Sequence, residues 1–68
     1  MFIAETSDAE FGRALRALRV GAGLSLRDLA TRVGVSYSHL SRAETGERQL
    51  SQSVIAKIES VIAEGRAA

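Results

Sequence analysis

The run from Ser25 to Gly46, SLRDLATRVGVSYSHLSRAETG, constrains the fold of this chain more than any other feature. Ser25 is placed to cap a helix with Asp28 as its capping-box partner, and Leu29, Ala30 and Val33 supply an apolar stripe at helical spacing. Gly34 stops that helix, because a residue closing a helix in the left-handed conformation pays a steric penalty unless it is glycine, and the apolar Val35 beyond it turns inward. Ser36 caps again. A second helix, about Tyr37 to Thr45, buries Leu40 and Ala43, sets Tyr37, Ser38, Ser41 and Arg42 on its other side, and ends at Gly46. Two short helices on a tight glycine turn make a helix-turn-helix arrangement.

The flanks read as helices too. Ser7 opens one with Glu10 in capping-box position, and Phe11, Ala14, Leu15 and Leu18 recur at spacings of three and four along one face. This helix is expected to end near Gly21 to Gly23. Arg13 and Arg16 project away from its apolar stripe, whereas Arg19 lies at the border, close enough to the core to need a partner. After a loop from Glu47 to Leu50, Ser51 or Ser53 caps a fourth helix with Val54, Ile55, Ile58, Val61 and Ile62 on a broad apolar face, and Gly65 ends it. Met1 to Thr6 forms a short arm carrying Phe2 and Ile3. The expected architecture is all-α: one compact four-helix domain over residues 1–68, with helices at about 8–21, 26–33, 37–45 and 52–63.

At 68 residues the chain has room for one small core, near the size at which stability becomes marginal. The absence of cysteine excludes disulfides and thiolate metal sites, and the single His39 cannot make a metal site, so no cofactor or metal is expected. No apolar run approaches the roughly 18 residues of a membrane span, and the N-terminus lacks the basic-then-apolar order of a secretory signal. A cytoplasmic protein, with no membrane partner and no small-molecule ligand, is expected. The net charge of +1 is uninformative, but its distribution is not. Glu5, Asp8 and Glu10 make residues 1–10 acidic, while residues 11–50 carry seven arginines against Asp28, Glu44 and Glu47, a net +4. The basic excess therefore lies on the helix-turn-helix.

Leu15, Arg16, Leu18, Arg19, Gly23, Leu24 and Ser25, then Asp28, Leu29, Ala30, Val33, Gly34, Val35 and Ser36, then Leu40, Ser41, Arg42, Glu44, Gly46, Arg48 and Ser51 form an ordered pattern from Phe11 to Ile62. The pattern resembles the lambda-repressor-like, or Cro/xenobiotic-response-element, DNA-binding domains. The resemblance implies that the second motif helix enters the major groove with Tyr37, Ser38 and Arg42 facing base edges, Arg42 being suited to bidentate contact with guanine. It implies that Ser25, Ser36, His39, Ser41 and Arg48 contact phosphates, and that Arg19 and Glu44 form a structural ion pair. The family usually has five helices, and four are read here. The uncovered surface, around Val61 and Ile62 with Phe2 and Ile3, is the expected homodimer contact, placing two recognition helices on an inverted repeat. Phe2 and Ile3 either pack on the fourth helix or pair as a short strand with another subunit. Three positions depart from the family: Leu26 stands where glutamine is common, Ala43 where a bulky residue is usual, and Leu50 where proline is frequent.

The leading expectation is a sequence-specific regulator of transcription that binds an operator in double-stranded DNA, acting as a repressor of bacterial or phage type. The alternative is a helix-turn-helix-derived protein-interaction module, antitoxin-like or partner-binding, that has lost specific DNA binding. An enzyme is disfavoured, because one histidine, no cysteine and no paired carboxylates in a glycine-rich setting assemble no catalytic constellation.

Overall fold

Serine hydroxyls start every helix among the described residues. The computed structural model describes residues 7–67, in which α1 runs Asp8–Gly21, α2 Leu26–Val33, α3 Tyr37–Thr45 and α4 Gln52–Ala67. Ser7 Oγ accepts the Glu10 amide at 3.1 Å while the Glu10 carboxylate accepts the Ser7 amide at 3.0 Å. Ser25 and Asp28 repeat this box at 2.9 and 3.4 Å, and Ser36 Oγ accepts the His39 amide at 3.0 Å. Ser51, rather than Ser53, caps α4 by accepting the Val54 amide at 3.2 Å. Each cap satisfies an amide that the helix itself leaves without a partner.

The ends of α2 and α3 rest on glycine. Gly34 and Gly46 both take φ of +86°, so that Val35 N–H donates to the Ala30 carbonyl and Glu47 N–H to the Arg42 carbonyl, closing the last turn. Gly65 behaves differently from its expected role as a terminator. It does not take a positive φ, and α4 continues through it to Ala67. A glycine ends a helix only where the chain beyond it turns away, and no such turn follows Gly65.

The core is built from Leu15, Leu29, Ala30, Val33, Leu40, Ala43, Ile58 and Ile62, with Leu29 and Leu40 fully enclosed at its centre. Each of those two leucines contributes about 2 kcal/mol by leaving water. α3 packs against both α1 and α2, and α2 packs against α4. Leu26 and Leu50, two of the three positions that depart from the family pattern, lie half-buried against this core, and Ala43 is inside it.

The face of α1 that meets α3 is not the apolar stripe expected from the sequence. Gly12, Leu15 and Arg19 are its buried residues, whereas Ala14 is exposed, Phe11 is half-buried and Leu18 is 45% exposed. Phe11, Ala14 and Leu18 instead join Ile55, Ile58 and Ile62 in lining an apolar groove of about 550 Å³ between α1 and α4. Gly12 makes the tight contact with α3 possible: a Cβ there would lie 2.6 Å from the Ala43 carbonyl oxygen and closer still to that of Glu44. Gly46 likewise abuts the backbone of Ala9, with a Cβ at that position falling 2.8 Å from the Ala9 Cα.

The Ser7 box carries a pH dependence. Hydrogen bonds from the Ser7 amide, and then from its hydroxyl, hold the Glu10 carboxyl below the usual glutamate range. A carboxylate whose folded value is depressed stabilises the fold fully above its unfolded value, and that contribution disappears as pH falls through the folded value. Thermal melts of the wild type and of Glu10→Gln are therefore expected to differ at neutral pH and to converge under acid. A difference that stays constant from neutral pH to pH about 3 would count against the box.

Candidate nucleic-acid interface

The surface that α3 presents is braced from beneath by an ion pair. Arg19 Nε donates to Glu44 Oε2 at 2.7 Å and Nη2 donates to Oε1 at 3.1 Å, a two-pronged contact between α1 and the end of α3. Nη1 donates to the Leu24 carbonyl at 2.9 Å, tying in the α1–α2 turn. Both side chains are largely enclosed, at 11% and 6% exposure. The Glu44 hydrogen bond holds the Arg19 guanidinium above its ordinary range, so it is charged throughout the working pH range. Because Arg19 and Glu44 neutralise each other internally, neither adds to the outer field. The remaining arginines of the basic segment, at positions 13, 16, 27, 32, 42 and 48, are all exposed.

On α3, Tyr37, Ser38 and Arg42 lie on the solvent side, with Tyr37 at 47% exposure. Ser41 is half-buried. The two capping serines, Ser25 and Ser36, are exposed and use their oxygens as acceptors for backbone amides, leaving each hydroxyl hydrogen free to donate outward. Arg48 is exposed on the loop after α3, and its neighbour Gln49 anchors that loop by donating to the Asp8 carboxylate at 3.3 Å. His39 is turned differently from its expected role. It is half-buried, and its Nε2 is enclosed with no hydrogen-bond partner among the described residues, so that nitrogen is not offered to a phosphate.

Ile62 is likewise in the wrong place for the subunit contact expected of it. At 4% exposure it belongs to the core of this chain, because α4 packs that edge against α2 and the floor of the α1–α4 groove. Val61 is half-buried and packs against the same core. Phe2 and Ile3 lie outside the described residues.

Arg27 was not singled out by the sequence. Its guanidinium stands over the Tyr37 ring, 5.0 Å from the centroid, joining the first turn of α2 to the first residue of α3. Sequence spacing carries no signal of this contact, since it depends on the angle at which the two helices meet.

This geometry is that of a helix-turn-helix whose second helix presents Tyr37, Ser38 and Arg42 to solvent. Residues 10–63 match the model of the family described as "Helix-turn-helix domain", and the chain belongs to that family, with regulators of the lambda-repressor/Cro type as its structural neighbours. Among solved structures, the restriction-modification controller protein C.AhdI from Aeromonas hydrophila is similar, with 35% identity and a TM-score of 0.79 over 87% of this chain and 91% of that one. The clp gene regulator ClgR from Corynebacterium glutamicum is similar at 30% identity and a TM-score of 0.76, over 88% of this chain and 68% of that one. No curated protein sequence matches the chain significantly. Among the described residues, no helix is long and apolar enough to cross a membrane.

Proposed function

We propose that this protein is a sequence-specific regulator of transcription that binds double-stranded DNA and represses by occupying an operator, with α3 in the major groove. The observation that carries the reading is the exposed Tyr37, Ser38 and Arg42 face of α3, flanked by exposed arginines and by the capping serines Ser25 and Ser36. Its kinship with C.AhdI, a restriction-modification controller, and ClgR, a clp gene regulator, supports the regulatory role. Tyr37, Ser38 and Arg42 read bases, while Ser25, Ser36, Ser41 and Arg48 position the duplex through phosphates. His39 is left out of that contact, since its amide donates to Ser36 Oγ and its Nε2 is enclosed.

The functional form is a two-fold homodimer, because one recognition helix reads too few base pairs to define an operator in a genome. Val61 remains part of the proposed contact, extended to the apolar lips of the α1–α4 groove at Leu18 and Ile55. Selection of bound sites from a random duplex pool is expected to return an inverted repeat with half-sites roughly 34 Å apart, and sedimentation is expected to show two protomers per site. A single protomer on an asymmetric site would overturn the dimer. Selection of no sequence at all would overturn specific DNA binding.

The roles of two arginines separate within the same assay. Arg42→Ala is expected to cost roughly 1–3 kcal/mol on the selected site and to relax preference at one base pair. Arg48→Ala is expected to weaken all duplexes alike and flatten the salt dependence by about one unit of slope. Equal losses on selected and random duplexes for both variants would sink this division.

A further inference from the structure

Arg27 and Tyr37 make up the one cation–π pair among the described residues, and it sits at the junction of the two motif helices. Arg27 is exposed and has no carboxylate within ion-pair distance among those residues, so its guanidinium lies over the ring without competition from an acidic group. A guanidinium drawn over an aromatic face by the ring's electrons does not spend all its N–H donors there, and those left over are available to a second partner. Tyr37 is 47% exposed at the first residue of α3, so its ring has solvent on one side and the Arg27 guanidinium over its face.

Resting on the DNA-binding reading above, we propose that Arg27 is a positioning residue for base selection: it bridges a backbone phosphate and the Tyr37 ring, and so fixes the orientation in which Tyr37 meets the groove. The phosphate holds the guanidinium in place, and the guanidinium holds the ring. Base preference at the position facing Tyr37 is therefore set partly from α2, by a side chain that touches no base.

Tyr37 is the only tyrosine and the chain has no tryptophan, so ultraviolet absorption and emission near 280–300 nm report this ring directly. Three measurements on the full chain test the proposal: tyrosine emission of the free protein, base preference across variants of the selected site, and the salt dependence of binding. Arg27→Ala is expected to change Tyr37 emission, to lower preference at one base pair about two- to fivefold, and to reduce the salt slope by about 0.9. Arg27→Lys is expected to keep the salt slope while losing part of the preference, because an ammonium supplies charge without the planar stack. Arg27→Ala with unchanged preference and unchanged emission, on a wild type that selects a clear site, would overturn the inference alone. A changed salt slope with unaltered base preference would also overturn it, reducing Arg27 to a phosphate contact. A wild type that selects no site overturns the parent reading and this one together.

Discussion

Glu44→Ala is expected to remove about 3 kcal/mol of stability, most of what a domain of this size has, because it leaves the Arg19 guanidinium enclosed without its carboxylate. The loss exceeds the roughly 0–1 kcal/mol of an exposed pair, since a guanidinium only 11% exposed is rehydrated incompletely when its partner is removed. Arg19 would retain only the Leu24 carbonyl as an acceptor. Replacing both members, as in Arg19→Met with Glu44→Leu, is expected to cost much less, about 1 kcal/mol, chiefly for the Leu24 carbonyl left without its donor. Urea denaturation of Arg19→Met, Glu44→Leu and the double variant closes a cycle that gives the coupling directly. A Glu44→Ala chain that unfolds at the wild-type midpoint would show that the pair carries no such weight.

Gly12→Ala is expected to destabilise the fold by about 1–3 kcal/mol, although helix propensity alone predicts a gain of about 1 kcal/mol for the same change. The added methyl meets the backbone carbonyls of Ala43 and Glu44, which cannot rotate aside, so α1 must lift off α3. Lifting it also stretches the Arg19 to Glu44 contact two turns further along the same face. Gly65→Ala is the matching control. Position 65 is within α4, and a Cβ there meets only ordinary contacts near 3.7 Å, so the propensity gain is expected to appear unopposed. If both substitutions stabilise, the close approach at Gly12 is wrong.

The boundaries of α1, α2 and α3 were legible because their signals are local. A serine hydroxyl caps an amide three residues on, and a glycine closes the turn that follows. The pairing of Arg19 with Glu44 was legible for a different reason, the resemblance to a family, supported by a border arginine that needed a carboxylate. What failed were inferences about facing. The stripe of Phe11, Ala14, Leu15 and Leu18 has the period of a core face, yet α1 turns a different set, Gly12, Leu15 and Arg19, toward α3. Periodicity counts apolar residues, and neither a glycine nor an arginine registers in that count.

The sequence by itself therefore determined how many helices form among the described residues, where the first three start and stop, and which stretch makes the helix-turn-helix, since each is decided within a few residues by capping, turn geometry and apolar period. Only the tertiary structure decided that Gly12 lets α1 approach α3, that α1 and α4 leave an apolar groove open, that His39 Nε2 is enclosed, that Ile62 belongs to the core, and that Arg27 lies over Tyr37. Those features depend on the angles and distances at which helices pack. Packing angles follow from the shapes of all contacting side chains at once, and no local stretch of sequence contains them.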